Sequence, residues 1–457
     1  MSVGGSGISS RMAEIVGVTN AMNDPAQIAA YQIDGKSPTA VARPGSSEEV
    51  VEIVKFAARE KLAIVPTGAR TKLGIGMPPR QYEIALDMTR MDRIVAYDPG
   101  DLTLSVEPGI PLHKIASALR EHRQFLPLVV PFANRATAGG TIASGVDSPL
   151  RQIYGTARDF VLGMEFVTGD GIAAKSGGRV VKNVTGYDIH KMMIGALGTL
   201  GVITGINFRT FPLPRATRTC IATFRGSAGA CELRDAIAKS VLRPQTVEIL
   251  AAAGGSTAAL GRRAAVSFEN DRWSVVVSFS GDEQVLDRDR REWEALARGT
   301  DRSAFESLTE LRAEPAENAN RHIAELPAAI LEHSPNAAIF KISALPTDLA
   351  GIARGVQSIG VPWLVVMRGL GITYLTLLPP DRSEGSLRLL QQECTRILSL
   401  SGKAPWGRCV LLWCRPELKS EINVWGPPPG DFVLMQKLKS VFDPSGILSP
   451  GRFMGGI

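Results

Sequence analysis

Residues 66–76, PTGARTKLGIG, set three glycines, two threonines and two cations directly behind the short apolar run LAIVP. Two further segments of the same texture follow, PFANRATAGGTIASG at 131–145 and GALGTLGVITG at 195–205. Glycine reaches the positive φ that turns successive N–H groups into an anion-binding nest, and its missing side chain lets a ligand approach the backbone. Taken singly, each segment also reads as a tight packing turn. Three of them, in order, within the first 214 residues point to a fold that wraps backbone around a phosphate-bearing ligand.

Two familiar phosphate readers are excluded. A nucleoside-triphosphate loop needs Gly, four residues, then Gly-Lys-Ser/Thr leading into a helix. The sole Gly-Lys-Ser, residues 35–37, has Ala30 where that glycine belongs and Pro38 and Pro44 behind it, so it reads as a solvated turn. A dinucleotide fingerprint needs Gly-x-Gly-x-x-Gly. The nearest approach, Gly74-Ile75-Gly76, has Pro79 in the third place.

The chain has 457 residues with 46 glycines, a net charge of +6 and a pI near 9.1. That length suits two to three domains, and the charge suits a mildly basic enzyme or attraction to an acidic surface or partner. Aromatics are 6%, too few for a base-stacking platform, and no nucleic-acid module is present. Five cysteines without a CxxC pair argue against a disulfide framework, a zinc site or an iron–sulfur cluster. The first residues, MSVGGSGISSRMAEIVGV, lack the basic start and apolar run of a secretion signal. The apolar stretch 361–378 carries Arg368, Gly369 and Gly371 and reads as two strands joined by a glycine turn, not a membrane span. A cytoplasmic location with reduced thiols is expected, with at most peripheral membrane association.

Helical and strand-like segments alternate through the first half. Ser46 and Glu49 stand at capping-box spacing before an apolar helical repeat that runs to residue 61. EIALDM (83–88) and the two arms of RIVAYDPGDLTLSVEPG (93–109) read as strands, and PLHKIASALREHR (111–123) as an amphipathic helix. Composition shifts near Pro212–Pro214; beyond it, helical stretches at 284–300 and 317–332 flank strands such as 272–281. The tail 437–453 reads as a helix stopped at Asp443-Pro444 and followed by Pro450-Gly451-Arg452.

The order Pro66-x-Gly68-x-x-Thr71, Asp101-Leu102-Thr103, Val106-Glu107-x-Gly109 and Ala136-Thr137-x-Gly139-Gly140-Thr141 resembles the FAD-binding domain of the vanillyl-alcohol oxidase and p-cresol methylhydroxylase (PCMH) superfamily. YGTARDFVLGMEFVTGDG (154–171), SGGRVVKNVTGYDIHKMMIGALGTLGVIT (176–204) and FDPSGILSPGR (442–452) fit the same pattern. Within it, KNVTGYD followed by GALGTLGVIT is most similar to the FAD-binding E subunits of glycolate oxidases, and GLGITYL (369–375) and INVWGPPP (422–429) extend the likeness. Residues 250–335 match nothing recognisable.

The resemblance implies an α+β PCMH-type fold. A leading segment (1–35) precedes the FAD-binding domain (36–214), an α+β cap or substrate domain (215–430) follows, and a C-terminal segment (431–457) returns to the FAD domain. It implies FAD whose diphosphate lies on Thr67, Gly68, Ala69, Arg70, Thr71 and Lys72, with Arg70 or Lys72 as counter-charge. Ala136, Thr137, Gly139, Gly140, Thr141 and Ser144 would line the ribityl and ring path; Gly198, Gly201, Val202 and Ile203 would pass the adenine side. Ala69-Arg70 stand where some members attach flavin through histidine, so the FAD is expected to be non-covalent. Ser449 stands where asparagine is usual.

Lys182 and Asn183 are expected nearest the reacting flavin edge, and Arg452 is a candidate for a substrate carboxylate. No metal is expected, because the five histidines (113, 122, 190, 322, 333) are scattered. Of these, His190 reads as a packed helix residue. His333, Lys341, Arg368 and Tyr374 are second-domain candidates by chemistry alone, and no catalytic base is assigned. The implied reaction is two-electron oxidation of a small 2-hydroxy acid such as glycolate, beside catalytic flavoprotein and iron–sulfur partner subunits. A stand-alone dehydrogenase of another hydroxy acid and an accessory scaffold subunit are the alternatives.

Overall fold

The computed structural model describes residues 5–180, 186–254, 268–269 and 271–457. Packing divides the chain into two compact units. The first holds residues up to 147, 156–213 and 427–457; the second holds 148–155 and 214–426.

The first unit contains two main sheets. The strands β1 (Ala21–Met22), β2 (Ala40–Ala42), β3 (Ile64–Thr67) and β4 (Ile84–Asp87) form a sheet of order β1-β2-β4-β3, with β4 parallel to both β2 and β3. Its apolar strands are buried on both faces, as parallel strands require. The helix Ser47–Glu60 covers one face, burying Val50, Ile53, Val54 and Ala57 at helical period against Ile64, Ile84 and Leu86. Each of the valine, isoleucine and leucine side chains contributes roughly 1.5–3 kcal/mol of burial. Ser46 Oγ accepts the Glu49 amide as the spacing predicts, whereas the Glu49 carboxylate takes the Gly45 amide, one residue earlier than a capping box expects. The N-terminal helix Gly5–Val16 packs Ile8, Met12 and Val16 into the same core.

After β5 (Ile94–Asp98), β6 (Thr103–Val106) and the short β7 (Gln124–Phe125) come β8 (Val161–Val167), β9 (Ala173–Gly177), β10 (Val202–Arg209) and β11 (Phe211–Pro212). Five of them make the second sheet, in the order β5-β6-β10-β8-β9, antiparallel throughout, while β7 and β11 pair separately. The helix predicted over 111–123 runs from Leu112 to Glu121. The Gly35-Lys36-Ser37 stretch is an exposed tight turn closed by Ile33 and Lys36, in agreement with its reading as a solvated turn.

The C-terminal helix Phe432–Phe442 begins five residues earlier than the sequence suggested. Residues 447–449 run beside β3: the Ile64 amide donates to Ile447 O and the Ser449 amide to Ile64 O, each at 2.8 Å.

The second unit is one eight-stranded antiparallel sheet with helices. Its strands are β12 (Ala216–Arg225), β13 (Thr246–Ala253), β14 (Arg272–Gly281), β15 (Phe305–Arg312), β16 (Ala338–Ser343), β17 (Trp363–Arg368), β18 (Ile372–Leu377) and β19 (Arg408–Trp413). They lie in the order β15-β12-β14-β13-β17-β18-β16-β19. The 361–378 stretch is the hairpin β17–β18, turned through Gly369–Gly371. Among the described residues no helix is long and apolar enough to cross a membrane.

Candidate functional site

The three glycine segments meet in the first unit. Thr137 caps the helix Ala138–Ser144 through its side chain, which accepts the Gly140 amide. That helix ends at Gly145 in the left-handed region (φ 60°), where a Cβ would stand 2.8 Å from the Cα of Gly195. The Gly195 and Leu197 amides donate back to Ile142 and Ala143, each at 2.9 Å. Gly198 (φ 71°) faces Pro66, which would lie 3.2 Å from any added Cβ. A Cβ on Gly68 would collide with Thr137 Oγ1. Small residues are therefore what lets the three backbones converge.

Between them lies a cavity of about 80 Å³ walled by the loop 67–72 together with Thr137, Gly140, Ser144, Gly198 and Arg452. A second cavity, of about 50 Å³, shares the wall at Thr67, Gly68, Gly140 and Gly198 and adds Gly139, Gly201 and Ile203. The structure thus gathers most of the residues expected from sequence. Ala136, Thr141 and Val202 are buried behind these walls and line neither cavity. Lys182 and Asn183 lie outside the described residues.

The loop's backbone is its chief chemical feature. The amides of Gly68, Ala69, Arg70 and Thr71 donate to no group among the described residues. Buried amides almost always find a partner, and four free amides in succession on this half-buried loop form a donor set that fits a diphosphate. Thr71 Oγ1 sits 3.4 Å from Lys72 Nζ, adding a hydroxyl and a cation. The buried hydroxyls Thr141 Oγ1 and Ser449 Oγ have no partner either, and Ser449 Oγ lies against Gly198.

Two expectations change. Arg70 borders the cavity, but its guanidinium turns inward: Nη1 lies 3.5 Å from Asp87 Oδ2, and the group stacks 4.4 Å from the centre of the Tyr31 ring. Of the two residues expected as counter-charge, Arg70 is thus engaged by Asp87, and Lys72 also lines the cavity. Arg452, the carboxylate candidate, is buried and donates through Nη2 to Leu73 O at 2.7 Å and Ile75 O at 2.6 Å. Burial lowers its pKa to about 10, so it stays charged at neutral pH and ties the C-terminal tail to the far side of the loop.

Neighbouring parts brace this arrangement. Lys439 Nζ donates to Thr199 O and Leu448 O at 2.8 Å and pairs with Asp443 at 2.6 Å, so one cation links the third glycine segment to the tail. His190 is buried, with Nδ1 3.1 Å from Ser176 Oγ, and burial lowers its pKa.

The second unit carries a charged cluster that sequence spacing does not reveal. The register places Glu248, Arg368, Ile372, Ser343 and Arg408 in one row across β13, β17, β18, β16 and β19. The next row on the same face holds Leu250, Val366, Tyr374, Lys341 and Val410. Arg368 Nε lies 3.4 Å from Glu248 Oε1, and its guanidinium stacks 4.9 Å from the Tyr374 ring centre. Lys341, Arg368 and Tyr374 are thus brought together, while His333 is exposed at the end of the helix Ala313–His333.

The paired cavities and the α+β sheets of the first unit define a PCMH-type FAD-binding fold. The p-cresol methylhydroxylase structure with substrate bound superposes at a TM-score of 0.76 over 97% of this chain and 96% of that one, at 17% identity. A 4-ethylphenol oxidase from Gulosibacter chungangensis gives 0.72 over 98% and 96%, at 15% identity. Residues 38–177 match the FAD binding domain family, and 427–453 match the C-terminal domain of FAD linked oxidases.

Among curated relatives, glycolate oxidase subunit GlcE of Escherichia coli is 39% identical over 172 residues, 37% of this chain and 49% of that protein. The chain therefore spans about half of that relative's length. Subunit GlcD of Bacillus subtilis is 24% identical over 91% of this chain and 88% of its own. A D-2-hydroxyglutarate dehydrogenase of Xanthomonas citri is 35% identical over 39% of this chain and 38% of its own length. The stronger identity is local and the full-length likeness runs to the D type.

Proposed function

We propose that the protein is an FAD-dependent dehydrogenase subunit that oxidises a small 2-hydroxy acid of the glycolate type. The observation that carries this reading is the run of four unpartnered amides from Gly68 to Thr71 beside Lys72. Bound there without a covalent link, FAD would supply the acceptor for a hydride. Thr67 to Lys72 would hold the diphosphate. Thr137, Gly139, Gly140, Ser144, Gly198, Gly201 and Ile203 would line its path; Ala136, Thr141 and Val202 would back that wall.

The Lys341–Tyr374–Arg368 group supports an acid substrate, because a carboxylate fits two cations beside a phenol. Lys182 and Asn183 remain proposed for the reacting edge, where a cation would stabilise charge developing on the ring. The relatives named as glycolate oxidase subunits support work within an assembly. Its other members would be a catalytic flavoprotein and an iron–sulfur subunit that carries electrons onward.

A second reading, an accessory FAD-holding subunit without its own substrate site, is favoured by the Glu248–Arg368 pair, which already neutralises one of the two cations. The purified chain, reconstituted with FAD and mixed anaerobically with glycolate, D-lactate or D-2-hydroxyglutarate, distinguishes them. Bleaching of the flavin absorbance is expected with at least one acid. Stable flavin bands with all three would favour the accessory reading, and failure to take up FAD would sink both.

A further inference from the structure

We infer that Arg70 serves the phosphate loop through its backbone shape and not its charge, and that a buried brace of Tyr31, Asp87 and Arg43 holds it in that shape. The inference rests on the proposed reading of residues 67–72 as a diphosphate site.

Arg70 has φ 62°, inside the left-handed region that disfavours residues with a side chain. It sits within the run of unpartnered amides, and a left-handed residue there is what turns consecutive N–H groups toward a common point. A glycine would adopt this shape freely; an arginine needs a restraint. The restraint is visible. Tyr31 donates its hydroxyl to Asp87 Oδ2 at 2.5 Å, the oxygen that Arg70 Nη1 approaches at 3.5 Å. Arg43 Nε lies 3.7 Å from it, while Oδ1 accepts the Thr89 amide at 2.9 Å. Tyr82 donates to the carbonyl of Tyr31 at 3.0 Å and so fixes the ring on which Arg70 stacks.

The brace is mutual. Asp87 is 2% exposed, and a buried carboxylate needs cations and donors around it. Arg70 supplies one of them, and Asp87 with the Tyr31 face holds the guanidinium away from the cavity. Four chain segments that are distant in sequence thereby set one backbone angle. Burial, the hydrogen bond to Asp87 and its charge all raise the pKa of Tyr31, so the donor stays protonated at any working pH.

Titration calorimetry of the full chain with FAD, and separately with inorganic pyrophosphate, tests this on Arg70→Gly, Arg70→Ala and Tyr31→Phe. Arg70→Gly should bind both probes within about threefold of the parent, because glycine keeps the left-handed shape. Arg70→Ala should bind about tenfold more weakly, because alanine meets the left-handed cost without the brace. Tyr31→Phe should lose about threefold although Tyr31 touches no ligand. The salt dependence of binding should be the same for Arg70→Gly as for the parent.

Equal losses in the glycine and alanine variants, with a shallower salt dependence, would make Arg70 a direct phosphate ligand and overturn the inference. Circular dichroism checks folding; should Tyr31→Phe fail to fold, the glycine–alanine ratio decides. If the parent binds pyrophosphate with the expected order of variants but not FAD, the proposed function falls and the brace stands. If it binds neither, both fall.

Discussion

The glycine-loop site of the first unit and the ion-pair clusters of the second treat buried polarity differently. In the first, the loop 68–71 leaves four amides without partners, and Thr141 and Ser449 keep unpartnered hydroxyls. In the second, burial is matched by charge. Arg218 is 1% exposed yet pairs with Asp287 at 2.6 Å, Glu283 at 2.8 Å and Glu310 at 3.1 Å, and Glu248 pairs with Arg368. Unsatisfied donors are costly, and the run 68–71 gathers four of them where a ligand would complete the set. Ion pairs that close on themselves need no ligand to be stable. The contrast teaches where cofactor binding should be sensitive and where folding should be.

The largest expected effect lies in the second unit. Glu248→Ala leaves Arg368 with less compensation for its buried charge and should destabilise the protein by about 3 kcal/mol, read by equilibrium urea unfolding, with FAD affinity unchanged. An unchanged unfolding midpoint would break the comparison from that side. Gly198→Ala forces a side chain into a left-handed backbone against Pro66 and should cost about 1–2 kcal/mol of stability. Its FAD affinity should fall at least as far, read by quenching of flavin fluorescence; undiminished affinity would remove Gly198 from the site.

Thr137→Ala removes the cap of the helix Ala138–Ser144 and should cost about 1 kcal/mol, visible as a small drop in thermal midpoint. The smallest effect concerns pH. Burial lowers the pKa of His190 in the folded state, so the unfolded chain takes up a proton first as pH falls through about 6.5. Stability should therefore decline below that pH until the folded-state pKa is reached. His190→Asn should flatten that part of the pH–stability profile.

Much of the fold was legible where its signals are local. The capped helix at Ser46, the strands at 64–67 and 84–87, the Asp-Pro-Gly-Asp turn and the hairpin at 363–377 each follow from residues within a dozen positions. The inward turn of Arg70 was not legible. It depends on Tyr31, Arg43 and Asp87, and an arginine beside glycines looks from sequence like a phosphate ligand. The same holds for Arg452, whose bonds to Leu73 and Ile75 span more than 370 positions. The Lys341–Arg368–Tyr374 group escaped as a constellation because strand register, not spacing, puts those residues on one face.

The sequence by itself determined that the glycine segments could converge, since only glycine tolerates the required approach of one chain segment to another. It also determined which stretches became helix and strand, since those follow from periodicity and capping. The tertiary structure decided which polar groups were left for a ligand. A donor's availability depends on every segment packed near it: Arg70 is claimed by Tyr31 and Asp87, and Arg452 is claimed by Leu73 and Ile75 from the other end of the sequence.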